Sequence, residues 1–511
     1  MRSVPEVEHP GPGRPTPPID FEVPLQAIRR RFDRRHVEVD DALLNRLRGA
    51  CPEVATDDEA CLEAGRDWWP LAIHWALAGE VPSRAGAVAR PRSAAEVCAV
   101  LRICDEARVP VTPVAGRSGV CGASVPAFGG VALDLCGLAG LLEVDADSLL
   151  VDVAPGTFGD VLEAELRAGH GVTLGHWPQS VSLSTVGGWL ACRSAGQYST
   201  RYGKIEDMVV GLEVALADGR LVRTGGAAPR AAVGPDLTQL FVGSEGTLGV
   251  VTRARLRVHP VPPFESRAAY GFGEFTSGLD ACRRILRRGA QPAVLRLYDA
   301  TESARSFATE DRHVLIVLDE GDRRLVESTM AVVDEECGDA GVLDDALVGT
   351  WLEHRNDVSA LAAVSRRGIV VDTAEVAARW AALPAMYRDT LDALAAVDGT
   401  LVSSAHQSHA YTDGACLYFT FAGRAPDGAE PAWKDAYYRR AWDAVTSVTL
   451  AHGGAISHHH GIGLNRARFM GRALGPAHAV LSSLKAVLDP NGILNPGKLG
   501  LPSPFGEAPW P

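Results

Sequence analysis

The spacing of apolar residues indicates a helical part followed by a strand-rich part near the start of the chain. From residue 43 to residue 75 the pattern is mostly helical. Ser93–Glu96 then matches a capping box and opens a predicted helix, in which Val97 and Leu101 share one apolar face. The next apolar segment, 109–114, has the length of a buried strand and leads into a glycine-rich turn. The pattern therefore predicts a mixed fold of helices and strands.

Further short strands are predicted from apolar segments at residues 131–135, 149–153, 209–216 and 249–258. Asp218-Gly219 joins the third of these to "RLVRT", which is a strong hairpin signal. The proline-rich sequence "HPVPP" then interrupts the pattern. We therefore place a domain boundary near Pro262.

Helices and strands alternate again beyond this boundary. The pattern predicts a strand at 314–319, helices at about 325–333 and 433–452, and a last helix that ends at Pro490. The first 24 residues contain seven prolines and predict a disordered segment. The chain then divides into an N-terminal extension that is partly disordered (1–39), a first domain (40–262), a second domain (263–450) and a C-terminal return (451–511).

Composition excludes several classes of function. The net charge of −13 argues against a nucleic-acid-binding protein, so any anionic ligand needs positive charge that is concentrated locally. The ten cysteines form no CxxC pair, which argues against a zinc knuckle or a disulfide framework. The sequence shows no apolar segment of membrane-spanning length and no secretion signal, so we expect a cytoplasmic protein.

Three glycine-rich segments are the first candidates for chemistry. They read "PVAGRSGVCGAS" at 113–124, "GHWPQSVSLSTVGGWLACRSAG" at 175–196 and "GSEGTLGVV" at 243–251. Small residues directly after a strand let backbone N–H groups approach an anion closely, as in a pyrophosphate cradle. Each segment alone is also typical of an ordinary turn or loop, and the first lacks the GxGxxG fingerprint. Their order and spacing are more specific than any one of them.

In that order the three segments resemble the FAD-binding domain of the vanillyl-alcohol-oxidase superfamily. The resemblance extends to the alkylglycerone-phosphate synthases, also called alkyl-dihydroxyacetone-phosphate synthases, over about residues 40–498. It rests on "STVGGW" (184–189), "YGKIEDMV" (202–209), "GPD" (234–236), "GSEGTLGV" (243–250), "LRLYD" (295–299), "YTDGACLYFTF" (411–421) and "SHHHGIG" (457–463). Flavin dehydrogenases of 2-hydroxy acids share the glycine-rich parts but typically carry a glutamate–histidine pair in place of "SHHH".

This resemblance implies an FAD cofactor. It places FAD against Pro113, Val114, Ala115, Gly116, Arg117, Ser118, Gly119, Gln179, Ser180, Val181, Ser182, Leu183, Ser184, Thr185, Cys192, Arg193, Ser194, Ala195, Glu245, Gly246, Thr247, Leu248, Gly249, Val250 and Val251. The cradle has no histidine or cysteine at the family's tether position, because Cys121 lies beyond it. We therefore expect FAD to be bound non-covalently.

Tyr418 is the first candidate catalytic residue. Strand alternation puts it on a semi-polar face together with Cys416 and Thr420, opposite an apolar face of Leu417, Phe419 and Phe421. A buried structural tyrosine is the commoner situation. The family's catalytic tyrosine matches Tyr418, and the implied role is acid–base chemistry at the carbon next to a ketone.

Three consecutive histidines, His458, His459 and His460, suggest a metal site, a phosphate clamp or a proton-transfer cluster. In an extended segment His458 and His460 share a face and His459 points away. No Cys, Asp or Glu cluster with ligand spacing stands nearby, and His406 and His409 are the only other close pair, so we predict no metal. The resemblance implies that all three histidines line the pocket, contact the phosphate of the substrate and help to move protons.

Arginines provide the candidate phosphate ligands. Arg355 lies where the family has its substrate-binding arginine, and Arg366 or Arg367 is the alternative match. Arg296 matches an arginine that is important for activity in the family. A supporting salt bridge between Arg296 and Asp299 is the interpretation we favour for it.

These features predict an α+β flavoenzyme, in which a two-part FAD-binding domain of the vanillyl-alcohol-oxidase type lies under an α+β cap domain. The implied reaction exchanges the acyl group of acyl-dihydroxyacetone phosphate for a fatty alcohol in ether-lipid synthesis, without net redox. The alternative is an FAD-linked dehydrogenase or oxidase of a 2-hydroxy acid or alcohol. A small-molecule lipid substrate is expected and nucleic acid is not. A homodimer and a peripheral membrane contact for lipid access both stay open.

Overall fold

The computed structural model describes residues 23–32, 35–226, 228–309, 311–357, 364–430 and 432–507, together with residue 510. Most of the predicted disordered segment, residues 1–22, lies outside the described residues. The longer helices span Asp41–Ala50, Pro70–Leu77, Ala94–Ala107, Gly159–His170, Phe275–Arg287, Ala300–Phe307, Arg323–Glu336, Ala346–His354, Leu383–Ala395, Trp433–Ala451 and Ala477–Leu488.

A four-stranded sheet carries the first glycine-rich segment. Its strands are, in spatial order, Val54–Ala55, Ala87–Ala89, Val131–Asp134 and Val111–Val114. The last three run parallel. Helix Ala94–Ala107 packs against this sheet through Val97 and Leu101, both fully buried, which confirms the predicted helix and its apolar face. Ser93 caps the helix by accepting the amide N–H of Glu96 at 3.2 Å.

A five-stranded antiparallel sheet carries the other two glycine-rich segments. Its strands are, in spatial order, Leu221–Gly225, Val209–Ala215, Val250–Arg257, Leu150–Val153 and Leu141–Asp145. The predicted hairpin through Asp218-Gly219 is confirmed, with Gly219 in the left-handed region at φ +78°. The C-terminal part of the chain returns to the four-stranded sheet, where the amide N–H of Val111 donates to the carbonyl oxygen of Ile493 at 2.8 Å.

A seven-stranded antiparallel sheet forms the second half of the fold. Its strands are, in spatial order, Gly341–Leu343, Phe264–Phe272, His313–Gly321, Val294–Tyr298, Thr400–Ala410, Gly414–Arg424 and Ile369–Arg379. One face packs on helices through fully buried side chains, among them Leu297, Leu417, Phe419 and Phe421. The predicted alternation along the Tyr418 strand is therefore confirmed, because Tyr418 lies on the other face of the sheet.

The arrangement has two parts and belongs to the α+β class, as predicted. None of the described helices is both long enough and apolar enough to cross a membrane.

One buried carboxyl makes stability depend on pH. Asp67 is fully buried, and burial raises the pKa of its carboxyl from 3.8 to about 7, although the amide of Trp69 donates to it at 3.1 Å. Between these two values the folded protein keeps a proton that the unfolded chain releases. Stability is therefore lost as pH rises through this window, by at most about 1.4 kcal/mol per pH unit.

We expect Asp67→Asn, which is neutral at every pH, to raise the melting temperature more at about pH 7.5 than at about pH 5. The melting temperatures of wild type and variant at both pH values measure this difference. Asp147→Asn, at an exposed position, is the control and should follow the wild type. An Asp67→Asn effect of equal size at both pH values would show that Asp67 is ionised in the folded protein throughout.

Candidate active site

A cleft of about 640 Å³ is lined by residues of all three large sheets and by the three glycine-rich segments. The predicted cofactor residues line this cleft with five exceptions, namely Val181, Ser182, Arg193, Thr247 and Leu248. These five residues lie within the same segments but do not line the cleft. Leu248, for example, packs in the core under the five-stranded sheet, and Arg193 is paired with Glu206 at 3.4 Å. Their assignment as cofactor contacts came from the family resemblance, and it stays a prediction.

Close backbone approaches bring the three glycine-rich segments together. A Cβ on Gly116 would lie 2.2 Å from the carbonyl oxygen of Leu183, so the first two segments meet at a distance that only glycine permits. Gly246 has φ +71°, and a Cβ there would lie 2.9 Å from the side chain of Pro113, which joins the third segment to the first. A small-residue cradle beside a cleft of this size fits the FAD that the resemblance implies.

Four side chains form a row across the cleft face of the seven-stranded sheet. In the strand register Tyr418 lies directly opposite Glu375 on one neighbouring strand and His406 on the other, and His406 lies opposite Tyr298. Directly opposed residues of antiparallel strands share a face. The rings of Tyr298, His406 and Tyr418 are stacked, with centroids 5.2 Å and 4.9 Å apart. The ring of His406 is thus held between the rings of Tyr298 and Tyr418.

The hydroxyl of Tyr418 faces the histidine turn, which we define as residues 457–463. It lies 2.7 Å from Nε2 of His460. Burial, followed by the negative charge of Glu375, raises the pKa of the Tyr418 phenol above its ordinary value. Tyr418 is therefore a neutral phenol that can donate its proton to His460.

The carboxylate of Glu375 organises the histidine turn. Its Oε1 accepts the hydroxyl of Ser457 at 2.7 Å and the backbone N–H groups of His459 and His460 at 3.3 Å and 2.8 Å. Arg466 binds the same carboxylate through both terminal nitrogens. Burial alone would raise the pKa of Glu375, but Arg466 and then His460 outweigh it, so the pKa lies well below its usual range.

The prediction that His458 and His460 share a face is wrong. His459 and His460 line the cleft, whereas His458 does not. The segment bends instead of extending, because successive amide groups converge on one carboxylate, that of Glu375. His458 lies behind the cleft, where its Nε2 is 3.0 Å from the hydroxyl of Tyr411.

His409 joins His458 and His459 to form a cluster of three imidazoles. Ring nitrogens of the three lie within 4.8 Å of one another, a spacing that could hold a metal ion. Burial lowers the pKa of all three rings well below 6.5, so they are neutral. Several ring nitrogens already have protein partners: Nδ1 of His409 lies 2.7 Å from the hydroxyl of Ser199, and Nδ1 of His458 lies 2.9 Å from Nδ1 of His459. The absence of a metal stays a prediction.

Arg296 is held at the cleft, and the predicted salt bridge to Asp299 is wrong. Its guanidinium donates to the hydroxyl of Tyr298 at 2.7 Å and to Nε2 of His406 at 2.6 Å. Nδ1 of His406 lies 2.6 Å from Glu302, whose pKa lies below its usual range, because His406 and Arg305 outweigh the effect of burial. Asp299 is unavailable because its carboxylate accepts backbone N–H groups of Glu302 and Ala405.

Arg355 does not line the cleft. It lies within 6 Å of the ring centroids of Trp177, Tyr198 and Trp351, and it donates to Gln197 at 3.3 Å. Gln197 does line the cleft, so Arg355 contacts a lining residue without lining the cleft itself. The alternative matches Arg366 and Arg367 are exposed and also lie outside the cleft lining.

Glu245 connects the third glycine-rich segment to the histidine turn. Its carboxylate accepts the backbone N–H groups of Ile462 and Gly463 at 2.5 Å and 3.0 Å. A Cβ on Gly461 would lie 2.6 Å from Oε1 of Glu245, so only glycine fits there. Glu245 and Glu375 therefore hold the two halves of the turn.

Several functional candidates were missed in the sequence. Glu375, Arg466 and Glu302 carry no motif of their own, and Tyr298 lies in the "LRLYD" motif but was not singled out there. One sequence signal could have pointed to Glu375. The apolar strand sequence "IVVDTAEVAA" contains two acids, and an ionised side chain in a buried strand needs a buried partner. His406 and His409 were noticed only as a close pair, and their roles depend on strand register.

Comparison with known protein families covers both halves of the chain. Residues 85–225 match the profile "FAD binding domain". Residues 261–499 match the profile "FAD linked oxidases, C-terminal domain".

Individual relatives carry three kinds of name. An uncharacterised FAD-linked oxidoreductase of Escherichia coli is 31% identical over 430 residues, which is 81% of this chain and 88% of the relative. The alkyldihydroxyacetonephosphate synthase of Dictyostelium discoideum is 30% identical and covers 82% and 74%. The glycolate oxidase subunit GlcD of Bacillus subtilis is 29% identical and covers 81% and 88%.

Solved structures agree with these matches. An alkyldihydroxyacetonephosphate synthase superposes with a TM-score of 0.76 at 25% identity, covering 96% of this chain and 90% of the other. p-Cresol methylhydroxylase shares the fold, with a TM-score of 0.72 at 16% identity and coverage of 91% and 98%. On these matches together, the chain belongs to the FAD-linked oxidase family and is an FAD-dependent enzyme.

Proposed function

We propose that this enzyme is an alkylglycerone-phosphate synthase-like transferase, which exchanges the acyl group of acyl-dihydroxyacetone phosphate for a fatty alcohol. The observation that carries the proposal is the neutral Tyr418 phenol, which lies 2.7 Å from a histidine acceptor and faces the cleft. Such a pair is suited to removing and returning a proton on the carbon next to a ketone. The synthase relatives support the same assignment.

The distribution of charge supports a phosphate-bearing substrate. Among the described residues, three arginines line the cleft. Arg117 lies just after the last strand of the four-stranded sheet. Arg296 and Arg305 belong to the wall formed by the seven-stranded sheet and its helix Ala300–Phe307. Arg117 belongs to the first glycine-rich segment, which we assign to the pyrophosphate of FAD, and its side chain is 7% exposed. We assign Arg296 and Arg305, which is also paired with Glu302 at 3.4 Å, to a second phosphate, and this wall also carries Tyr418.

Each group has a distinct task in the proposed reaction. FAD, when bound, supplies the chemistry at the reacting carbon. Arg296, held by His406 and Tyr298, binds and orients the substrate phosphate. Tyr418 moves a proton between the substrate carbon and His460. His459 is neutral and lines the cleft, so its ring can donate a hydrogen bond to the phosphate without adding charge.

An FAD-linked dehydrogenase of a 2-hydroxy acid is the second candidate. The glycolate oxidase subunit matches this chain at nearly the same identity as the synthases do. Both reactions need a proton acceptor and an anion-binding arginine beside the flavin. The two differ in the fate of electrons, because only the dehydrogenase leaves the cofactor reduced.

Anaerobic mixing distinguishes the two reactions. With acyl-dihydroxyacetone phosphate and a long-chain alcohol, we expect ether product and released fatty acid in equal amounts, with no reduction of an added dye. Glycolate and other 2-hydroxy acids serve as the comparison substrates. Stoichiometric dye reduction by a hydroxy acid, without ether formation from the lipid substrates, would contradict the transferase proposal.

Tyr418→Phe should lower kcat by about a hundredfold or more, since the ring still packs on His406 but the proton donor is gone. Flavin content, measured by absorbance after release with acid, should stay near that of the wild type. Tyr437→Phe is the matched control, because its hydroxyl contacts Thr400 and lies outside the cleft lining. Near-normal kcat in Tyr418→Phe would leave Tyr418 as a packing residue.

Chelation tests the cluster of His409, His458 and His459. We expect dialysis against a chelator to leave kcat unchanged and elemental analysis to find no stoichiometric metal, because several ring nitrogens already have protein partners. Replacing His458 with alanine should lower activity without creating metal dependence. One metal per chain, lost together with activity and restored by zinc, would contradict this expectation.

A further inference from the structure

Two glutamate–histidine pairs flank Tyr418, and they differ in what the second imidazole nitrogen contacts. In the first pair, Glu302 holds Nδ1 of His406, and Nε2 of His406 accepts from Arg296 at 2.6 Å. In the second pair, Oε2 of Glu375 lies 3.0 Å from Nδ1 of His460, and Nε2 of His460 lies 2.7 Å from the Tyr418 hydroxyl. Of these two pairs, only the second has a histidine that contacts the Tyr418 hydroxyl.

The carboxylate of Glu375 determines which nitrogen of His460 carries the proton. It is fully buried, and Arg466, itself 1% exposed, binds both of its oxygens. An ionised carboxylate only accepts hydrogen bonds, and Nδ1 of His460 lies 3.0 Å from it, so this contact favours a proton on Nδ1. In a neutral imidazole Nε2 is then the acceptor, and its partner is the O–H group of Tyr418.

The other imidazoles near Tyr418 do not offer an alternative acceptor. Nε2 of His406 is occupied by Arg296, and its ring stacks on the Tyr418 ring instead of meeting the hydroxyl. The centroid of His459 lies 5.9 Å from that of Tyr418, and Nδ1 of its ring contacts His458. Among the described residues, the hydrogen bond of the phenol to an imidazole is the one to His460.

We propose that Glu375 and Arg466 are positioning residues that hold His460 as the acceptor for the Tyr418 proton, which makes Tyr418 and His460 one proton-transfer unit. The proposal rests on the proposed function and deepens it. The phenol oxygen takes the proton of the substrate carbon as its own proton passes to Nε2 of His460. The substrate keeps the electron pair of the broken C–H bond, and the imidazolium lies against Glu375. The reverse transfer restores the resting state.

A structural test needs no substrate. The ¹⁵N NMR spectrum of the histidine-labelled holoenzyme reports which ring nitrogen is protonated, and the His460 signals are assigned by their loss in His460→Gln. We expect Nδ1–H with an unprotonated Nε2 in the wild type, and loss of that preference in Glu375→Gln. A protonated Nε2 in the wild type would overturn the proposal, whatever reaction the enzyme catalyses.

A kinetic test asks whether the two residues act as one unit. His460→Gln leaves the Glu375–Arg466 pair intact, and it should lower kcat by about a hundredfold, as Tyr418→Phe does. The double variant should fall within about twofold of the worse single variant, because either change removes the same transfer. His452→Gln is the control, since it breaks a histidine–carboxylate pair with Asp389 on the surface. If the fold-loss of kcat in the double variant equalled the product of the two single losses, the proposal would be overturned.

Glu375→Gln leaves Arg466 buried without a partner, so folding has to be checked by flavin content and melting temperature. Glu375→Gln combined with Arg466→Met removes both charges and is the second variant. Either folded variant should lower kcat in the wild-type background and have little further effect on kcat in the Tyr418→Phe background.

The kinetic test uses whichever substrate the anaerobic assay identifies. Failure of the lipid substrates therefore counts against the transferase function, and the NMR result counts separately for or against the positioning of His460.

Discussion

The buried ion pair between Glu375 and Arg466 is the interaction on which the candidate active site depends. Both side chains are almost completely inaccessible to solvent. Removing one partner of such a pair typically costs about 3–5 kcal/mol, because the other charge stays buried. The pair has a second consequence, since the same carboxylate accepts the amides of His459 and His460. The buried charge of Glu375 therefore also determines the backbone path of the histidine turn.

A second buried carboxylate ties this turn to the cofactor side of the cleft. Glu245 belongs to the third glycine-rich segment and binds the amides of Ile462 and Gly463. Gly463 has φ +53°, and a Cβ there would lie 2.1 Å from the carbonyl oxygen of Cys121 in the first segment. The histidine turn is thus packed against two of the segments that line the cofactor cleft. The histidines of the candidate site are thus held in place relative to the glycine-rich segments by contacts of their own backbone.

The seven-stranded sheet supplies the remaining groups through strand alternation. The strand that buries Leu417 and Phe419 in the core presents Tyr418 and Thr420 to the cleft. Neighbouring strands add His406 and Glu375 in register with Tyr418. Packing of the apolar face therefore determines which side chains lie on the polar face, and stacking and hydrogen bonds then orient them. This division explains how relatives with different reactions can share one fold, because a few positions on one face can change independently of the core.

The sequence by itself determined the main helices and strands, because hydrophobic period, caps and turn residues act over short distances, whereas the two-part α+β fold followed from the family resemblance of its motifs. Motif order also identified the FAD segments, and alternation identified the semi-polar face of the Tyr418 strand, which lines the cleft. The tertiary structure alone decided the direction of the histidines, because the turn follows contacts with a glutamate 82 positions away in the chain. It likewise decided that Arg296 pairs with His406 and not with Asp299, since strand register and a helix cap assign those partners. Long-range pairing of buried charges has no signature in a local sequence pattern, which is why Glu375 and Arg466 became recognisable only in the folded protein.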